Sequence, residues 1–207
     1  MKEKLNQIRS KSTIDITVQQ KILRVVFVFL LGGVLGFLAK YLDSVPIMGN
    51  VGTYLGVWIT IAVLIAVYSR SPMASALHVF SFFVAMLIAY YTYSMTLFGF
   101  FPKYYFIAWG GIALVSPICA YIVWHAYGNG WISAFCASLP ISLLLLEGYS
   151  FFYTLSIPQG FSVLCSVVLF FILANKMKQK LRVLLFIGIV FYIFWKLNVL
   201  SLIFGGL

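Results

Sequence analysis

The stretch ILRVVFVFLLGGVLGFLAKYL, residues 22–42, carries no charge between Arg24 and Lys40 and shows no apolar-polar alternation. A hydrocarbon core about 30 Å thick takes about 20 helical residues to cross, and this run has that length. Arg24 and Lys40 have stems long enough to place their charges at the two interfaces while the backbone stays in the apolar phase. Working outward, runs of the same kind occupy residues 52–69, 72–97, 104–126, 131–146, 159–174 and 181–204. Across the 207 residues, 63% are hydrophobic, 9% are charged and the mean hydropathy is +1.07, which leaves too little polar surface for a water-soluble globule. The fold class expected is an all-α polytopic transmembrane bundle of about seven spans. A six-span count stays open, because run 159–174 is the weakest and its neighbour 148–158 is itself apolar and lies in the interface or re-enters.

Lipid forbids unpaired backbone groups, so the choice is between helices and a closed barrel, and a barrel requires alternation that these runs lack. Pro46, Pro72, Pro102 and Pro158 fall at predicted helix ends, and Gly128, Asn129 and Gly130 form a short turn. Thr17 followed by Gln20 has the spacing of a capping box for the first helix. The connections are too short for a soluble domain, and no internal repeat is visible. Residues 1–21 read as a basic, polar, interfacial N-terminal arm and residues 22–207 as one transmembrane helical bundle.

The basic residues orient it. With the N-terminus in the cytoplasm, the inner side receives Lys2, Lys4, Arg9, Lys11, Lys21, Arg24, Arg70, Lys176, Lys178, Lys180 and Arg182, while Lys40, Lys103 and Lys196 stay in the outer half. The C-terminus then faces out. A multi-pass protein of the bacterial inner membrane is expected. Its net charge of +10 then serves anionic lipid headgroups, at about 1 kcal/mol per basic residue, rather than nucleic acid.

Few residues offer chemistry. H-E-x-x-H and Walker patterns do not occur, and His78 and His125, the two histidines, have no carboxylate beside them in sequence. No cofactor or metal is expected. Intramembrane catalysis would have to draw a nucleophile from Cys136 or Ser133. Cys119, Cys136 and Cys165 lack C-x-x-C spacing and read as free, buried thiols. Seven helices with Lys196 do not make a light sensor, since the third span offers no counter-ion.

Glu147, Lys196, Asp43, Lys40 and Lys103 all fall toward the outer leaflet. One reading has them marking helix ends, with Asp43 paired to Lys40 and Lys196 snorkelling. The other has Glu147, Lys196 and Asp43 converging on an outward cavity for a small polar solute, with Tyr90 and Tyr91 supplying hydroxyls. Trp58, Trp109 and Trp195 read as an outer interface belt and Trp124 and Trp131 as an inner one. Pro117 and Pro140 interrupt the fourth and fifth spans and free backbone carbonyls there. Gly32, Gly33 and Gly36 give the first helix a small-residue face, for packing within the bundle or for docking a membrane protein partner.

The stretches LLGGVLGFLAKYLDSVP and GVWITIAVLIAVYSRSP, with Gly56-Val57-Trp58 and Ala89-Tyr90-Tyr91, resemble a family of small uncharacterised bacterial polytopic membrane proteins. More distantly, the chain is similar to the substrate-binding membrane subunits of energy-coupling-factor importers. That likeness implies docking through small residues of the first helix, although those subunits usually have six helices. The function expected is a small-solute binding or transport component without its own nucleotide site. The alternative is a non-catalytic accessory or assembly subunit of a membrane complex.

Overall fold

The computed structural model describes residues 8–10, 16–42, 54–100 and 103–204, and every regular element among them is helical. In chain order these are α1 (Val18–Leu42), α2 (Leu55–Tyr68), α3 (Pro72–Phe98), α4 (Lys103–Trp124), α5 (Trp131–Gly148), α6 (Phe151–Thr154), α7 (Ile157–Leu173), α8 (Met177–Lys196) and α9 (Val199–Phe204). Four stretches, Val18–Leu42, Pro72–Leu97, Lys103–Tyr127 and Trp131–Thr154, are long and apolar enough to cross a membrane, and Leu55–Tyr68 and Ile157–Leu173 are shorter apolar helices. This is the helix content of a membrane-embedded protein. Asp43 and the predicted helix-end prolines Pro46 and Pro102 lie outside the described residues.

Local chemistry sets the helix ends. Thr17 and Gln20 exchange backbone-to-side-chain hydrogen bonds of 3.2 and 3.3 Å, a reciprocal capping box at the start of α1. Ser71 accepts from the Ala74 N–H at 3.1 Å with Pro72 following it, which starts α3. Gly99, at φ 70°, ends α3 in the left-handed conformation that costs glycine nothing. Pro117 removes the donor that the Ala113 carbonyl would have had, and the Ser116 hydroxyl takes that carbonyl at 2.8 Å instead. The carbonyl freed at this break is therefore satisfied by its own helix.

Helix direction follows from cross-helix contacts. α1 and α3 run parallel, because Gly32 lies against Phe82 and Gly36 against Met86. α4 returns antiparallel to α3, with the Ser75 hydroxyl donating to the Ala120 carbonyl at one end and Tyr91 edge-on to Phe106 at the other. α5 and α8 also run parallel: Gln179 meets Gly130, the Ser142 hydroxyl donates to the Ile187 carbonyl, and the Tyr149 ring lies 5.9 Å from Phe191. α7 descends beside α5, and α2 lies with its start at the end of α5 and its end at the end of α4. The described helices of fourteen residues or more thus alternate in direction along the chain. One end of the bundle gathers Arg9, Ser69, Trp124 and Gln179, here termed the arm end. Glu147, Leu55 and Ser162 mark the opposite end.

Two expectations are corrected by this arrangement. Residues 181–204 are not one helix: α8 stops at Lys196, and Asn198 at φ 52° turns the chain before α9. Asparagine tolerates this left-handed geometry better than most residues, and the apolar residues on both sides conceal the break in the sequence. Nor do Trp58, Trp109 and Trp124 form interface belts, since they are 2%, 7% and 2% exposed. Their faces point at neighbouring helices, so the large rings fill the core, with Trp58 6.2 Å from Phe82. Trp131 and Trp195 stay exposed.

Candidate functional site

α2 spans 14 residues, about 21 Å, and so is shorter than the hydrocarbon it would have to cross. Helix ends leave backbone donors and acceptors without intrahelical partners, and both ends of α2 lie against protein rather than water. Tyr54 precedes the helix and offers no capping side chain. The acceptor comes from α5: one Glu147 carboxylate oxygen takes the Leu55 N–H at 2.9 Å, and the other takes the Ser162 hydroxyl at 2.9 Å. A carboxylate at the N-terminus of a helix is favoured by the macrodipole as well as by the hydrogen bond. Gly56 makes the approach possible, because a Cβ there would stand 2.6 Å from Ser162 Oγ and 3.3 Å from the Glu147 carboxylate. Gly148 does the same for α7, where a Cβ would meet Val163 at 2.6 Å.

The other end of α2 is closed by donors. The Ser69 hydroxyl donates to the Ile65 carbonyl at 2.7 Å, the Ser69 N–H to Ala66 at 3.2 Å, and the Trp124 indole N–H to the Ser69 carbonyl at 2.7 Å. Arg9, from the N-terminal arm, completes the set. Its guanidinium donates to the Val67 carbonyl at 2.6 Å and to the Trp124 carbonyl at 2.7 Å, so one fork bridges the last turns of α2 and α4. It stacks 4.3 Å over the Trp124 ring and 5.3 Å from the Tyr127 ring. Burial pulls the Arg9 guanidinium below its ordinary value and Tyr127 opposes that pull, yet arginine stays charged in proteins. α2 therefore holds a negative group at its positive end and a positive group at its negative end, neither from its own sequence.

Beside α2 lies a cleft of about 630 Å³ formed with α4 and α5. Ala62 and Ala66 of α2, Gly111 and Cys119 of α4, and Pro140 and Leu143 of α5 line it, and its walls are almost wholly apolar. Ile107, Val115 and Ile122 also line it and are exposed, so the cleft opens sideways on the outer face of α4. Small residues and Pro140 face each other across it, which is why α4 and α5 stand apart although consecutive in the chain. Cys119 is exposed here rather than buried, and Cys136 and Cys165 are buried and free as expected.

The residues singled out in the sequence fall into separate places. Glu147 is the cap of α2. Lys196 is exposed at the last residue of α8, at the Glu147 end, about 8 Å along the axis beyond the level of Phe191. Tyr90 and Tyr91 meet edge to face at 5.2 Å, with Lys40 5.2 Å over Tyr90 and Tyr91 5.0 Å from Phe106, a cluster between α1, α3 and α4. None of Glu147, Lys196, Tyr90 and Tyr91 lines the apolar cleft. Gly32 and Gly36 are buried against α3, where a Cβ would sit 2.3 Å from the Phe82 carbonyl oxygen and 2.4 Å from that of Met86. Gly33 faces away from those contacts, with nothing within 4 Å of its Cβ position, in a shallower apolar groove with Phe29, Phe37 and Ile88.

His78 Nδ1 lies 2.9 Å from Ser69 Oγ. The Ser69 hydroxyl also lies 2.7 Å from the Ile65 carbonyl, which competes with the imidazole for its single hydrogen. Ser133 closes the turn before α5, donating to Ala126 and accepting from the Gly128 N–H. No group of metal-ligating side chains occurs among the described residues. Arg9 was legible only as one more inner-side charge. The cap at Glu147 left a trace: a helix starting at Tyr54-Leu55 without a capping residue needs an outside acceptor. Compared with known proteins, the chain matches no protein family, no curated protein and no solved structure.

Proposed function

We propose that this membrane-embedded chain is a binding or transport component, without its own nucleotide site, whose ligand is an apolar molecule dissolved in the bilayer, such as a lipid acyl chain. The cleft between α2, α4 and α5 carries this reading: it has the size of a small-molecule site, apolar walls and a lateral mouth toward lipid. The walls offer a polar solute few partners, chiefly the Ser116 hydroxyl that already donates to Ala113, so this reading departs from the sequence-based expectation of a polar solute. The alternating helix directions support seven crossings with the arm end cytoplasmic and the C-terminus outside, and the basic residues of the arm end support the same orientation. A bacterial inner membrane fits that charge pattern.

The test is photocrosslinking in nanodiscs with an uncharged alkyl-diazirine probe, mapped by mass spectrometry. Crosslinks should concentrate on cleft residues, saturate, and fall at least tenfold in Gly111→Phe, whose side chain enters open space at the cleft wall. Crosslinks spread evenly over lipid-facing residues such as Leu30 and Leu114, unchanged in Gly111→Phe, would overturn the reading. The second reading, an accessory subunit, is supported by the groove at Gly33 on the largely exposed α1. Co-purification of one stoichiometric membrane protein, lost in Gly33→Phe, would favour it.

A further inference from the structure

We propose that Arg9 is a releasable clasp that keeps the apolar cleft closed to water at the arm end. The cleft runs along α4 from Ile107 to Val123 and along α2 from Leu55 to Ala66. Its walls therefore end one residue short of Trp124 and of Val67, whose carbonyls Arg9 bridges. One side chain from the arm ties the two walls together at the arm end of the cleft, beside the Trp124 indole bond to the Ser69 carbonyl that also joins them there. The tie consists of two hydrogen bonds and two ring contacts, and beside it the Asn129 N–H donates to the Ile8 carbonyl at 3.3 Å. These contacts join the arm to the last turns of α2 and α4, where Val67 and Trp124 are themselves buried. Withdrawal of Arg9 breaks them without removing a residue of the core, and it exposes helix-end carbonyls that water can solvate. The Glu147 end has no such freedom, since its cap is part of α5. The clasp thus makes the arm end of the cleft conditional and leaves the Glu147 end fixed.

The inference rests on the cleft being the working site, and its test needs no ligand. Cys119 lines the cleft about 8 Å above Trp124 and is a native thiol. The full chain, reconstituted in vesicles, is treated with a membrane-impermeant thiol reagent from the side that carries the N-terminus, and the rate at Cys119 is read by peptide mass spectrometry. Arg9→Ala should react at least tenfold faster than the parent. Arg9→Lys, which keeps the charge and loses the two-pronged fork, should react at least threefold faster, and it carries the test if Arg9→Ala does not fold. Folded Arg9 variants that react within twofold of the parent overturn the clasp. Fast labelling without capture of the alkyl probe keeps the clasp and removes the ligand; capture with unchanged labelling removes the clasp alone.

Discussion

Replacing Glu147 isolates how much an external cap contributes to α2. In Glu147→Ala the Leu55 N–H loses its acceptor at a position where Leu55 is 2% exposed, and an unpaired buried donor costs about 1–3 kcal/mol. The lost attraction between the carboxylate and the helix N-terminus adds about 0.3–1 kcal/mol. A central value of about 3 kcal/mol follows, and at about 2–4 °C per kcal/mol for a chain of this size the midpoint should drop by about 6–12 °C. Glu147→Gln keeps an oxygen for the Leu55 N–H and a partner for Ser162, and loses mainly the charge. It should lose about 1 kcal/mol, or about 2–4 °C. The assay is thermal unfolding in detergent, followed by the monodisperse peak in size-exclusion chromatography. A Glu147→Ala midpoint within 2 °C of the parent would refute the cap, and equal losses in the two variants would show that charge rather than the hydrogen bond dominates.

Three further outcomes follow from the geometry. Gly32→Ala and Gly36→Ala put a methyl group into the α3 backbone and should each cost about 3 kcal/mol or fail to yield a folded peak, whereas Gly33→Ala should be neutral or slightly stabilising in the same unfolding assay. Gln179→Ala removes both hydrogen bonds that its amide makes to the Gly130 backbone, at 3.1 and 3.2 Å, and should lower the midpoint by about 4–8 °C at about 1 kcal/mol per bond. Lys196→Ala should leave capture of the alkyl probe within twofold of the parent, because the residue is exposed and outside the cleft lining; a tenfold loss in that assay would restore it to the site.

Hydropathy located the long helices because bilayer thickness leaves length and apolarity as readable quantities. The expected runs 72–97, 104–126 and 131–146 lie within or nearly on α3, α4 and α5. What hydropathy cannot carry is which side of a helix meets which neighbour, since lipid and protein core are equally apolar. Trp58 and Trp109 therefore read as belt residues although they are core. Arg9 read as a topological charge because nothing local distinguishes a cation that meets headgroups from one that folds back onto carbonyls 58 and 115 positions away. In the sequence Glu147 reads either as a helix-end marker or as part of an outward cavity with Lys196 and Asp43; in the structure its carboxylate takes the Leu55 N–H of α2 and the Ser162 hydroxyl of α7. Of the two helix-interior prolines only Pro140 lines the cleft, and its other walls are mostly alanine and aliphatic residues with no signature of their own.

The parallel pairing of α1 with α3 and of α5 with α8 sets the order in which the bundle can be built. Chains emerge from the ribosome N-terminus first, so α1 enters the membrane before the helix that covers Gly32 and Gly36 exists. Its contact face must wait in lipid until α3 arrives some fifty positions later, as the pairing of Gly32 with Phe82 and of Gly36 with Met86 requires. α5 waits in the same way for α8, with Ser142 able to close its bond to Ile187 only when α8 has been made. A nascent chain stopped before residue 177 would therefore hold a finished first half and an open second half, a species for membrane quality control to recognise.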